Sequence, residues 1–114
     1  INFLSTYKKI SPDFKLIIMG SGDVSYSKLL KNKIDNMNLS KNIELIGEFT
    51  HKDLMKELSS SEFVFNPSKF ESFGFTLIEA LAAGCTVIAN NIEQYQLIDS
   101  GSNSFYLVEK KFYI

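Results

Sequence analysis

Short apolar runs alternate with segments of helical period along the whole chain, and this alternation constrains the fold more than any other feature. Lys15–Met19, Ile43–Ile46, Glu62–Asn66, Thr86–Asn90 and Phe105–Glu109 read as strands. Each is too short for a helix, and the first four end at Gly, Pro or Asn. Between them lie helical spacings: Phe3, Leu4, Tyr7 and Ile10; then Tyr26, Leu29, Leu30, Ile34 and Met37; then Leu54, Met55 and Leu58. Phe75–Ala83, stopped by Gly84, and Ile92–Asp99 complete the set. Thr50-His51-Lys52-Asp53 reads as a capping box opening the third helix. Strands separated by helices indicate crossover units and a parallel sheet. The near-continuous apolar strands predict that both sheet faces are covered. The expectation is a Rossmann-like, three-layer α/β/α domain over residues 1–114, with a mostly parallel sheet. A doubly wound domain usually opens on its central strand, whereas this chain opens on a helix, so the first strand is expected to lie outside it. Lys110–Ile114 is expected to fray.

Composition removes several function classes. The formal net charge of 114 residues is −1, with no basic stripe to hold nucleic acid. All twelve basic residues are lysine. Residues 41–114 carry six lysines against ten acids, a balance of −4, so an anion bound there must lean on backbone N–H groups or on cations from elsewhere. Cys85 is the single cysteine, which excludes an internal disulfide. No apolar run approaches the ~20 residues of a membrane span, and no signal peptide is legible. A cytoplasmic domain is expected, with membrane attachment through other parts left open. There is no Asp-x-Asp pair, no Cys/His cluster and no Walker lysine, so neither a metal nor another cofactor is expected.

Ligands of open α/β sheets bind beyond the carboxyl ends of the strands. That rim holds Gly20–Ser25, Gly47–Thr50, Pro67–Gly74 and Asn90–Ile92. The opposite rim, with Ser11–Phe14, Leu39–Asn42 and Gly84–Cys85, reads as plain connections. The helix Phe75–Ala83 is apolar nearly all round, which predicts burial, and Glu79 is its only charge. A carboxylate there needs local N–H partners or a ligand's hydroxyls. Gly74 lets backbone approach a ligand just before the helix. The N–H groups of Phe75, Thr76 and Leu77 are then expected to be free for an anion. Glu71 precedes Glu79 by eight residues. A diphosphate with a polyol at each end suits this order: hydroxyls to Glu71, phosphate to the helix start, hydroxyls to Glu79. On this reading Gly74→Val abolishes ligand use while the sheet still forms.

The run Phe70-Glu71-Ser72-Phe73-Gly74-Phe75-Thr76-Leu77-Ile78-Glu79-Ala80-Leu81-Ala82-Ala83-Gly84 resembles the Glu-x7-Glu signature of group-1 (family 4) retaining glycosyltransferases. Gly20-Ser21-Gly22, Asn42–Gly47 and Phe63–Ser68 match the surrounding order, so the resemblance spans about Phe14 to Val108. It implies one half of a GT-B architecture, the C-terminal domain that binds a nucleotide-diphosphate sugar. It further implies retaining transfer of a hexose-type unit to an acceptor sugar, lipid or protein that the sequence does not identify. Glu71 would be the catalytic-site carboxylate, on the donor sugar's hydroxyls, and Glu79 would take the ribose hydroxyls. Phe73 and Gly74 would approach sugar and diphosphate, and Phe75, Thr76 and Leu77 would border the phosphate. Phe49 would meet the base edge through its backbone, and Gly20 would line the diphosphate cleft.

The departures are equally specific. The family's first strand, with the Arg and Lys that neutralise the diphosphate, has no counterpart here, nor has the N-terminal acceptor domain. Glu93-Gln94-Tyr95-Gln96 stands where a Gly-Gly turn is usual. The 114 residues alone are therefore expected to transfer nothing. A related epimerase, and a non-catalytic flavodoxin-like binding module, are the alternative functions.

Simpler readings stand beside these. Glu71 and Glu79 alone would pass for a surface acid and a cap-satisfied acid. Gly20-Ser21-Gly22 lacks the third glycine of a dinucleotide fingerprint, since Ser25 holds that position, and reads better as a strand-to-helix turn. His51 reads as an exposed first-turn residue rather than a base, Cys85 as a small buried apolar side chain, and Lys69 as a solvated loop charge.

Overall fold

The computed structural model describes residues 1–99, 101 and 103–109; the expected tail at 110–114 lies outside them. Helices and strands alternate as expected, and the chain divides into two compact units, residues 1–50 and a second that begins at His51. All strand pairs are parallel, so the α/β, Rossmann-like class holds. The strands are shared between two sheets among the described residues. Alternation implies crossovers but does not say which strands meet.

The first unit contains α1 (Asn2–Ile10), β1 (Leu16–Met19), α2 (Val24–Asn36) and β2 (Ile43–Ile46). Leu16 pairs with Ile43 and Met19 with Ile46, and the Gly20 N–H extends the ladder to the Ile46 carbonyl. Ile34, Leu39 and Ile43 form the core, with Leu4, Phe14, Leu16 and Ile18 packed against it. Of the stripe expected along α2 only Ile34 is buried, while Tyr26 and Leu29 stay exposed. Two strands ~4.8 Å apart present a strip narrower than a helix ~10 Å across, so part of the stripe is left outside.

The turn after α2 is more than a plain connection. Asn38 takes the left-handed conformation at φ 56°. Its N–H reaches the Asp35 carbonyl and the Leu39 N–H reaches Ile34, which closes the helix end and turns Leu39 into the core. Asn42 is buried and donates from Nδ2 to the carbonyls of Pro12 (2.8 Å) and Phe14 (2.9 Å), tying down the loop before β1.

Asp23 caps the start of α2, accepting from the N–H groups of Ser25 and Tyr26 and from the Ser25 hydroxyl. The Ser25 hydroxyl, then the Tyr26 and Ser25 amides, hold its carboxyl below the usual carboxylate range. A depressed folded-state pKa gives stability that is present above the unfolded value, here 3.8, and lost as pH falls through the folded value. The expected result is that hydrogen exchange at the Ser25 and Tyr26 amides, corrected for intrinsic rates, speeds up on acidification below 3.8 and that Asp23→Asn blunts the transition.

The second unit contains α3 (His51–Ser60), β3 (Phe63–Asn66), α4 (Phe75–Ala82), β4 (Thr86–Asn90), α5 (Glu93–Ile98) and β5 (Phe105–Val108). The strand order is β3-β4-β5. The central β4 is the most buried strand, and Leu58, Leu77, Ala80, Cys85, Val87, Ala89, Tyr95 and Phe105 form the core. Cys85 is fully buried, its thiol directed at the Leu58 and Ser61 carbonyls, which fits the small apolar side chain expected there.

Two burial expectations need correction. β3 is not covered on both faces: Val64 packs on the core while Phe63 and Phe65 are exposed. Successive strand residues point to opposite faces, and only the Val64 face of β3 meets the core. Nor is α4 buried all round, since only Leu77 and Ala80 are inside and Phe75 and Ile78 are exposed. The helix meets the sheet through one stripe, whatever the chemistry of its other faces. The helix ends at Gly84 (φ 87°), whose N–H bonds to Leu81 while the Cys85 N–H bonds to Ala80. That closure delivers Cys85 into the core.

No helix among the described residues is long and apolar enough to cross a membrane.

Candidate functional site

The loop from β3 to α4 is held by two asparagines that end their strands. Asn66 Oδ1 accepts the Ser68 N–H at 3.0 Å. Asn90, buried at the end of β4, donates from Nδ2 to the Ser68 carbonyl at 2.9 Å. Sequence reasoning missed both, although asparagine at a strand end is a known way of fixing the next turn. Farther along, Glu71 is partly exposed and accepts the Ser72 N–H at 3.0 Å. Phe70 and Phe73 are exposed, and the Phe73 ring lies 4.5 Å from that of Phe75, tilted by 39°.

Gly74 is the residue before α4, in the left-handed region at φ 83° and ψ 35°. It is buried, and a Cβ placed on it would stand 3.0 Å from Ile98 Cδ1 and 3.0 Å from Tyr95 Cε1. Packing from α5 and backbone conformation therefore each disfavour a side chain here. The expected run of free donors is shortened by one. Leu77 gives its N–H to the Gly74 carbonyl at 3.0 Å and is fully buried, because the first turn of α4 closes on that carbonyl. Phe75 and Thr76 keep N–H groups with no acceptor among the described residues, and both side chains are exposed. These two donors sit at the positive end of the helix macrodipole, where an anion is stabilised.

Glu79 is one turn into α4. Its Oε1 lies 2.8 Å from Nε2 of His51, the first residue of α3. The Glu79 side chain is 31% exposed and that of His51 69%, so the pair is reachable by solvent and ligand. His51 is exposed and in the first turn, as expected, but its ring engages the carboxylate that the sequence singled out. Twenty-eight residues separate the two, and nothing local in the sequence signals the pairing.

The second unit thus contains Glu71, Phe73, Gly74, Phe75, Thr76, Leu77 and Glu79. Gly20 and Phe49 belong to the first unit, exposed at the end of β1 and beyond β2. Two surface hollows of the first unit contain none of these residues. One, of about 300 Å³, is lined by Ile1, Tyr26, Leu29, Leu30 and Lys33. The other, of about 420 Å³, lies at the amino ends of β1 and β2, the rim away from which ligands usually bind in such sheets.

Comparison with known proteins adds an independent finding. The family model described as glycosyl transferases group 1 matches residues 2–107. The chain is 30% identical over 112 residues to the poly(glycerol-phosphate) alpha-glucosyltransferase of Bacillus subtilis, covering 96% of the chain and 16% of that protein. It is 33% identical over 88 residues to the N-acetylgalactosamine-N,N'-diacetylbacillosaminyl-diphospho-undecaprenol 4-alpha-N-acetylgalactosaminyltransferase of Campylobacter jejuni, covering 77% and 23%. It is 26% identical over 101 residues to the lipopolysaccharide core biosynthesis mannosyltransferase LpsB of Rhizobium meliloti, covering 85% and 28%. The chain therefore spans between 16% and 28% of the length of these relatives.

Proposed function

The chain belongs to the glycosyl transferases group 1 family, and from that premise we propose that it forms the donor-binding domain of a retaining glycosyltransferase that uses a nucleoside-diphosphate sugar. The observation that carries this reading is the start of α4. There, two free N–H groups at Phe75 and Thr76 follow a left-handed Gly74 and precede an accessible carboxylate at Glu79. Such a helix start suits a diphosphate. Glu79 accepts the ribose hydroxyls and Glu71 those of the donor sugar, with Phe73 and Gly74 beside the sugar and diphosphate.

Catalysis on this reading is positioning plus stabilisation of the charge that develops on the departing diphosphate. Two backbone donors and a helix terminus supply part of that stabilisation. Residues 41–114 carry a balance of −4, so cationic side chains from outside that stretch supply the rest, with no metal ion assigned a role. The acceptor sits on the remainder of a longer protein, the other half of a GT-B architecture. The named relatives transfer glucosyl, N-acetylgalactosaminyl and mannosyl units, which supports a hexose-type sugar here. The 114 residues alone bind such a donor no better than roughly millimolar, about 4 kcal/mol, and transfer nothing.

The test is to supply the full-length protein with α-linked nucleoside-diphosphate hexoses and a panel of sugar and lipid-linked acceptors, and to read the new linkage by NMR. An α-linked product is expected. A β-linked product would contradict the retaining mechanism, and epimerised donor with no product would favour the epimerase alternative.

A further inference from the structure

We propose that His51 is a positioning residue for Glu79, holding one carboxylate oxygen so that the other faces the ligand. The proposal rests on the reading of Glu79 as the acceptor of the nucleoside's hydroxyls. An ionised carboxylate only accepts, so at 2.8 Å the proton lies on His51 Nε2, which donates to Glu79 Oε1. Among the described residues His51 is the one partner of the Glu79 side chain, which leaves Oε2 open. Side chains in a helix lean toward its amino end, so the carboxylate at the fifth position of α4 leans toward the turn that carries the free N–H groups of Phe75 and Thr76.

The pair contributes little to folding, because both side chains are substantially exposed and water screens them. Its effect is on geometry. An unrestrained glutamate samples several rotamers, and a ligand that needs one of them must supply the ordering free energy. The imidazole removes that requirement before the ligand arrives. Its own seat at the first turn of α3 is set by the fold, so the donor does not wander with a long side chain.

The experiment is calorimetric titration of uridine, guanosine and adenosine diphosphate into the full-length protein and its variants, with melting curves for each. For the diphosphate that binds, His51→Ala is expected to weaken affinity roughly three- to tenfold while the melting temperature stays put. His51→Gln keeps an N–H donor at similar reach without a charge and is expected to restore most of the loss. In a Glu79→Ala background, His51→Ala should have no further effect, because its route to the ligand is gone. If Glu79→Gln weakens binding but His51→Ala does not, or if the His51→Ala and Glu79→Ala losses simply add, the positioning role is overturned and the donor-site reading stands. If His51→Ala weakens binding and His51→Gln rescues nothing, the imidazole acts as a charge toward the diphosphate, which also overturns it. If Glu79→Gln leaves affinity unchanged, both readings fall together.

Discussion

Gly74→Val is expected to cost the second unit about 3 kcal/mol of stability, lowering the melting temperature by several degrees as well as removing donor binding. Two effects add. Valine at φ 83° is strained, since the left-handed region is poor for any residue with a Cβ and worse for a β-branched one. Its Cβ would also press at 3.0 Å on both Tyr95 and Ile98, and its two methyl groups would go farther into that contact. The sequence alone predicts an unaffected sheet, with only a ligand approaching Gly74; the α5 side chains beside it add a packing cost. Gly74→Ala separates the terms: it keeps the backbone strain and the single Cβ contact without the branch, and should cost less. Thermal melts of the three proteins decide the matter. Unchanged melting with lost donor binding would mean that the ligand, and not α5, imposes the glycine.

Glu79→Gln is expected to weaken nucleoside-diphosphate binding tenfold or more with little change in melting temperature. A charge-assisted hydrogen bond to a hydroxyl contributes about 1.5–3 kcal/mol, which is roughly a ten- to hundredfold change in affinity. Against that, the folding contribution of the Glu79–His51 pair is small, because the pair is solvated. Glutamine keeps the shape and one acceptor oxygen, so packing along α4 is undisturbed. Calorimetry with uridine, guanosine and adenosine diphosphates measures the first quantity and a melting curve the second. A large loss of melting temperature with unchanged affinity would make Glu79 a structural residue.

The elements were legible because their signals are local. β2 and β4 fall on the expected residues, and α4 starts at Phe75 as Gly74 suggests. Punctuation by Gly, Pro and Asn marks such ends within a few residues. Three other features depend on which elements meet, which local pattern does not encode. Strand pairing is the first, since the same alternation is compatible with one sheet or two. The exposed face of α4 is the second: an all-apolar helix does not reveal which stripe meets β4, and Phe75 and Ile78 turned out to lie outside. Glu79 is the third. Its need for a partner was visible from a lone acid in an apolar helix, but the partner came from α3, 28 residues away, and not from a neighbouring N–H. Gly74 shows the same limit, because the Tyr95 and Ile98 side chains that crowd it belong to α5.

The proposed donor site puts the diphosphate at the amino end of α4. The most direct measurement is a titration of nucleoside diphosphate into isotope-labelled full-length protein, following backbone amides by NMR. The Phe75 and Thr76 amides are expected to shift most, downfield as their N–H groups gain a charged acceptor, and the Leu77 amide, already bonded to the Gly74 carbonyl, to shift less. Saturable shifts that leave Phe75 and Thr76 unmoved while residues elsewhere respond would contradict it.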